Sequence, residues 1–152
     1  MLAELLDSHA VVLHYPARDA EDVIRMLSAI LEARGYVRAS FADAALARES
    51  TLPTGLVLDG PIHAAIPHTD VEHVIRPAVA LATLAHPVIF RHMIAPEEEV
   101  PVQVVFLLAL EQPKSQVAML QEVARVLQDE RLIRALVAAT SIHQVQAAFE
   151  TK

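Results

Sequence analysis

Cysteine is absent from this chain of 152 residues, and basic residues are few, 12 Lys plus Arg against 19 Asp plus Glu. Without thiols there can be no disulfide framework, no thiolate nucleophile and no zinc–cysteine centre. The resulting charge of −7 has the wrong sign for gripping phosphate backbones or anionic lipid, so nucleic acid and membrane surfaces are not expected as partners. Long apolar runs are missing too. Ala78 to Ala85 and Val104 to Leu110 are the longest, far below the roughly 20 residues that cross a bilayer, and Met1 to Ala10 has no basic start or long apolar stretch. A soluble cytoplasmic protein is the expectation. There is no internal repeat, low-complexity tract or linker, so residues 1–152 read as a single domain.

What remains is a chain 54% hydrophobic and 20% charged, a composition that folds. Asp19 is placed to cap a helix running toward Arg34, with Gly35 as its stop, and Val23, Ile24, Leu27, Ile30 and Leu31 recur at helical spacing within it. Ser40 is placed to cap a second helix, closed by Pro53 and Gly55. From Gly55 to His92 short aliphatic runs, Leu56 to Leu58, Val79 to Leu84 and Val88 to Phe90, alternate with prolines and predict short strands divided by loops. Val102 to Leu110 reads as a strand buried on both faces. Helical spacing returns over Lys114 to Leu127, Glu130 to Ala138 and Ser141 to Phe149. This order predicts an α/β sandwich with a mixed central sheet flanked by helices.

Eight histidines carry what chemistry is left. His68 directly follows Pro67 at the end of an apolar run, and Thr69 with Glu72 has capping-box spacing, which predicts a helix start just beyond it. Backbone N–H groups and a helix dipole there would favour both a phosphoryl group and a neutral imidazole. A neutral ring is the nucleophilic form, and the unperturbed value of about 6.5 already favours it in the cytoplasm.

Three stretches extend this signal: Arg48-Glu49-Ser50-Thr51-Leu52-Pro53-Thr54-Gly55, Ala65-Ile66-Pro67-His68, and Val104-Val105-Phe106-Leu107-Leu108-Ala109-Leu110. Together they resemble the enzyme IIA domains of the fructose/mannitol class of the sugar phosphotransferase system, over essentially the whole chain. Pro67-His68-Thr69-Asp70, with Glu72-His73-Val74 and Arg76-Pro77, looks most like the galactitol-type branch. The resemblance implies a phosphotransferase in which His68 accepts a phosphoryl group from the histidine phosphocarrier protein and passes it to a cysteine of a IIB component. That cysteine must lie on another chain. The resemblance involves no cofactor or metal, and reaches the membrane only indirectly, through the IIC transporter.

Arg48 matches a family arginine near the active histidine, where a guanidinium fork suits two phosphoryl oxygens. Thr54 matches a hydroxyl-bearing turn residue, able to donate to the phosphoryl group or simply to shape the turn. Many relatives carry a second histidine where Gln116 stands here; an amide can donate a hydrogen bond but carries no proton or charge. His63 or His73 would then be the candidates for a second imidazole.

Three rival readings start from the same residues. His63, His68 and His73 with Asp59, Asp70 and Glu72 could form a His-rich metal site, although five-residue spacing matches neither helix nor strand periodicity. Ser50 or Ser115 beside a histidine lacks any nucleophile-elbow pattern. A nitrogen-regulatory-type IIA would keep the fold and use phosphorylation to switch a binding partner. The apolar centre of any docking surface is expected at Val57, Ile66 and residues after Asp70.

Overall fold

The computed structural model describes residues 2–150. A short helix α1 (Leu2–Leu5) leads into strand β1 (Leu6–Tyr15), followed by α2 (Ala20–Ala33) and α3 (Phe41–Thr51). Then come β2 (Gly55–Leu56), β3 (His63–Ala65), a 3-10 turn (Val71–His73), β4 (Ala78–Arg91) and β5 (Glu99–Ala109). Three helices close the described chain: α4 (Pro113–Leu127), α5 (Glu130–Ala138) and α6 (Ile142–Glu150). The five strands form one sheet in the order β1-β4-β5-β3-β2. It is mixed, because β1 is parallel to β4 and β3 is parallel to β5, whereas β4–β5 and β2–β3 are antiparallel.

Strand alternation divides the interior into two cores. On β5, Val105, Leu107 and Ala109 face α2 and α3, while Val104, Phe106 and Leu108, with Leu110 just beyond the strand, face the C-terminal helices; Val102, across a register shift, joins the α2 side. The unbroken apolar run from Val104 to Ala109 needs a layer on each face, and that requirement makes the molecule an α/β sandwich. Ala78, Ala80 and Ala82 of β4 belong to the α2 side, small residues that let a helix pack close to the sheet. Asp19 caps α2 as its position predicts, accepting a hydrogen bond from Asp22 N at 2.8 Å, and Gly35 follows with φ 82°, the left-handed stop that suits glycine.

Several local expectations are corrected. Val79 to Leu84 and Val88 to Phe90 are one strand, not two; Pro87 falls in the register shift between Thr83 and Val88, where no ladder hydrogen bond is asked of it. Of the 56–58 run only Leu56 pairs, as the second residue of β2. Ser40 makes no capping bond to α3, its hydroxyl bonding His73 Nδ1 at 2.8 Å instead. The turn of helix expected just beyond His68 is present but is not α-helical, and no side chain caps it. Past Asp70 the chain makes one 3-10 turn, and its next backbone groups are committed elsewhere: Val74 bridges Val37, and Ile75 N and Arg76 N both bond Tyr36 O.

The junction of β1 with the end of α2 is held by a carboxylate. Asp7, its side chain 7% exposed, accepts Arg34 Nε at 2.6 Å, Tyr36 OH at 2.7 Å and His9 N at 2.8 Å. Burial pushes its pKa up, but the bonds from Tyr36, Arg34 and His9 outweigh this and hold it well below the usual carboxylate range. A depressed carboxylate stabilises the fold above its unfolded value of about 4 and loses that contribution as pH falls. Asp7→Asn is therefore expected to lower Tm by about 5 °C at neutral pH. Thermal unfolding at pH 7 and pH 3 checks this, since the gap between wild type and variant should narrow at the lower value.

Candidate phosphoryl-transfer site

At the end of β3 the chain leaves through Ile66, Pro67 and His68. Ile66 is buried in the core facing α4 to α6, and Leu108 N bonds Pro67 O at 3.0 Å, so His68 continues beside β5 as a parallel bridge to Leu108. His68 is therefore placed by the sheet and not by a helix N-terminus. It is 8% exposed. Its Nδ1 lies 2.9 Å from the Ile66 carbonyl, which can only accept, so Nδ1 carries the proton and a neutral ring leaves its lone pair on Nε2. Among the described residues Nε2 has no hydrogen-bond partner, yet it is not one of the fully buried unpaired atoms, so this edge of the ring reaches the surface.

Neutrality is favoured by the surroundings. Burial lowers the His68 pKa most strongly, the bond to Ile66 opposes this, the Arg48 charge lowers it further and Asp70 raises it, with a net shift below the usual histidine value. Desolvation takes the part the sequence assigned to a helix dipole.

Arg48 stands in the last turn of α3, and its Nη1 donates to Asp70 Oδ1 at 3.3 Å, 22 residues further on. Its Nε is buried and unpartnered among the described residues, an N–H without an acceptor next to the histidine loop. Such a group costs free energy unless something supplies an acceptor. Gln116, in the first turn of α4, donates from Nε2 to Thr69 O at 2.9 Å and so ties that helix to the residue after His68.

Thr54 is 2% exposed, and its hydroxyl is already spent: it donates to Glu49 at 2.8 Å, and Thr54 N donates to the same carboxylate at 2.8 Å. Gly55 beside it admits no side chain, because a Cβ would lie 2.6 Å from the Arg91 carbonyl oxygen. His63 is not brought to His68. It pairs with Val102 while His68 pairs with Leu108, six residues along β5 and roughly 20 Å away at the usual strand rise, and its Nδ1 accepts Leu58 N at 3.0 Å. His73 is occupied with Ser40. Sheet and loops thus disperse His63, His68 and His73 to three partners, and no group of three or more His, Cys, Asp or Glu able to hold a metal forms among the described residues. Ser50 donates its hydroxyl to Ala47 O at 2.7 Å, and the side chain of Ser115 lies outside the described residues.

Two members of the cluster are given no part in phosphoryl transfer by the sequence. Asp70 is brought to Arg48 only by the fold; Glu49 is visible as part of a motif, but nothing in its neighbours announces a half-buried carboxylate held by Thr54. Of the predicted docking centre, Val57 is 58% exposed, whereas Ile66 is buried at 3% and belongs to the core.

Fold and site together define a class: a mixed-sheet α/β sandwich presenting one neutral, tautomerically fixed histidine beside an arginine. The chain belongs to the family of phosphoenolpyruvate-dependent sugar phosphotransferase system EIIA 2 domains, whose model matches residues 4–152, and it is accordingly a phosphoryl-transfer domain. The IIA mannitol protein of Escherichia coli superposes with a TM-score of 0.78 at 27% identity, covering 94% of this chain and 97% of that one. The complex of enzyme IIA and phosphorylated enzyme IIB for mannitol, also from Escherichia coli, gives 0.77 at 27% identity over 97% of this chain and 98% of its counterpart. Nitrogen regulatory protein IIA-Ntr of Neisseria meningitidis shares the fold, with a TM-score of 0.73 at 22% identity, covering 96% of this chain and 97% of that one. A search of curated protein sequences finds no match. Among the described residues no helix is long and apolar enough to cross a membrane.

Proposed function

We propose that residues 1–152 form a single enzyme IIA unit in which His68 takes a phosphoryl group from the histidine phosphocarrier protein and passes it to a cysteine of a IIB component. The observation that carries this reading is the His68 ring itself, buried, neutral and held with Nδ1–H on the Ile66 carbonyl so that Nε2 is the free nucleophile. The Nε2 lone pair forms a bond to phosphorus as the phosphorus–nitrogen bond of the donor phosphohistidine breaks, and the donor imidazole keeps that electron pair. In the second step a IIB thiolate attacks the same phosphorus, and the electrons of the Nε2–phosphorus bond return to His68. No acid or base on this chain is needed in either direction, so alignment and charge stabilisation carry the rate.

Arg48 supplies the charge. Its Nη1, now on exposed Asp70, is a donor that a phosphoryl oxygen would take over, with the guanidinium charge beside it. Gln116 acts through the loop, by its bond to Thr69 O, and Gln116→Ala is expected to slow phosphorylation no more than about fivefold, as for loss of one neutral hydrogen bond. Stopped-flow or quench-flow transfer from the phosphocarrier protein reads this directly, and a complete loss would put the amide on the phosphoryl group itself.

Support for a galactitol-type pathway comes from the Pro67-His68-Thr69-Asp70 stretch, and for a IIB partner from the mannitol complex, in which a homologous IIA meets its phosphorylated IIB. The chain would act in the cytoplasm and meet the membrane only through the transporter. Intact-mass analysis after incubation with phosphoenolpyruvate, enzyme I and the phosphocarrier protein, with site mapping at alkaline pH, tests the acceptor step. A single phosphoryl group on His68, discharged by a galactitol-type IIB, is the expected result. Discharge only by a IIB of another class would correct the branch, and no uptake by a folded protein would defeat the reading.

A further inference from the structure

The chemistry above uses His68 and Arg48, but a half-buried carboxylate beside Arg48 has no part in it. Glu49 lies next to Arg48 at the end of α3, and burial raises its pKa although both bonds from Thr54 oppose the shift. Such a group is retained at a cost, and what it does is written in its hydrogen bonds. Its two oxygens take Thr54 N and Thr54 Oγ1, each at 2.8 Å. Thr54 O then accepts Ile66 N at 3.3 Å, and Ile66 O accepts His68 Nδ1 at 2.9 Å. Four residues thus form one relay of bonds from the carboxylate to the imidazole, reinforced where Gly55 pairs with Ala65 in the β2–β3 ladder.

We infer that Glu49 is a positioning residue for His68: by clamping both donors of Thr54 it fixes the Thr54–Ile66 ladder, and through the Ile66 carbonyl it holds the imidazole in the Nδ1–H tautomer that leaves Nε2 free. The inference deepens the phosphoryl-acceptor reading and rests on it for its consequence, though not for its geometry. Thr54 is then a strut between the carboxylate and the strand, and its hydroxyl is not a phosphoryl ligand. Glu49 itself touches no reacting atom.

The test uses the full chain, labelled with 15N in histidine, and long-range proton–nitrogen correlation to read the His68 tautomer alongside the phosphorylation rate. Glu49→Gln preserves volume but turns an NH2 group toward one of the two Thr54 donors. It is expected to let His68 populate the Nε2–H tautomer and to slow phosphoryl acceptance about tenfold or more. Thr54→Ser, which keeps both donors, should retain the wild-type tautomer and a rate within about twofold. Should Glu49→Gln fail to fold, Thr54→Val removes only the hydroxyl arm and must move the tautomer in the same direction. A folded variant of either kind with an unshifted His68 overturns the relay, as would a tautomer change in Thr54→Ser as large as in Glu49→Gln. Because the tautomer is read without any phosphoryl donor, failure of the relay is distinguishable from failure of wild-type protein to be phosphorylated.

Discussion

His68→Ala is expected to abolish phosphoryl acceptance completely, with no residual label at any other histidine. Each alternative imidazole near in sequence is already engaged or displaced: His63 by Leu58 N and its position far down β5, His73 by Ser40. No neighbour can therefore inherit the phosphoryl group. The same substitution leaves the Ile66 carbonyl without its Nδ1–H partner and opens a small void, a loss of about 1–3 kcal/mol that a core of this size should survive. Intact mass under the full phosphorylating mixture, paired with circular dichroism, separates chemistry from folding; label on a folded His68→Ala protein would remove His68 from the mechanism.

Wild-type His68 also predicts a pH signature. Its folded pKa is lowered, chiefly by burial, so protonation favours the unfolded chain. The contribution to stability is full above the unfolded value of about 6.5 and is lost as pH falls through it toward the folded value. His68→Ala should flatten that part of the stability curve. The acid limb of the phosphorylation rate should lie below about 6.5, since a neutral ring persists there. A limb at or above that value would mean Asp70, which opposes the effect of Arg48, is the stronger neighbour.

The second large effect is expected at Arg48. Arg48→Ala should slow transfer about 100-fold to 1,000-fold, the usual range for removing a donor aimed at developing charge. Stability should barely change, because the ion pair it loses is with Asp70, 68% exposed, and such pairs are worth little. Truncation also removes a buried Nε that has no acceptor among the described residues. Arg48→Lys retains charge without the planar fork and is expected to recover only part of the rate. Single-turnover transfer from the phosphocarrier protein measures both; an Arg48→Ala protein as fast as wild type would reduce Arg48 to a helix-end residue paired with Asp70.

Much of this molecule was legible along the chain because it depends on local periodicity. The α2 stripe of Val23, Ile24, Leu27 and Leu31 is buried as its spacing demands, Asp19 caps where it should, and β5 is sealed on both faces as its unbroken apolar run requires. Local pattern misled where a distant segment claimed the same atoms. Thr69 and Glu72 spell a helix start, but the backbone beyond them bonds to residues 36 to 38, an attachment no window around His68 contains. Pro87 looks like a strand terminator and is absorbed by a register shift that exists only because β5 runs alongside.

The site divides in the same way. From the sequence alone came a histidine following proline at a strand end, the arginine ahead of it, an absence of thiols and the family those residues imply. Tertiary structure decided the chemistry of the ring: which nitrogen holds the proton, how far burial suppresses its charge, and that Arg48 and Asp70 flank it while His63 does not. A residue's identity and its immediate neighbours are properties of the chain. Dielectric surroundings, hydrogen-bond partners and opposing charges depend on what packs against it from 20 or 40 residues away, and they exist only once the sheet has formed.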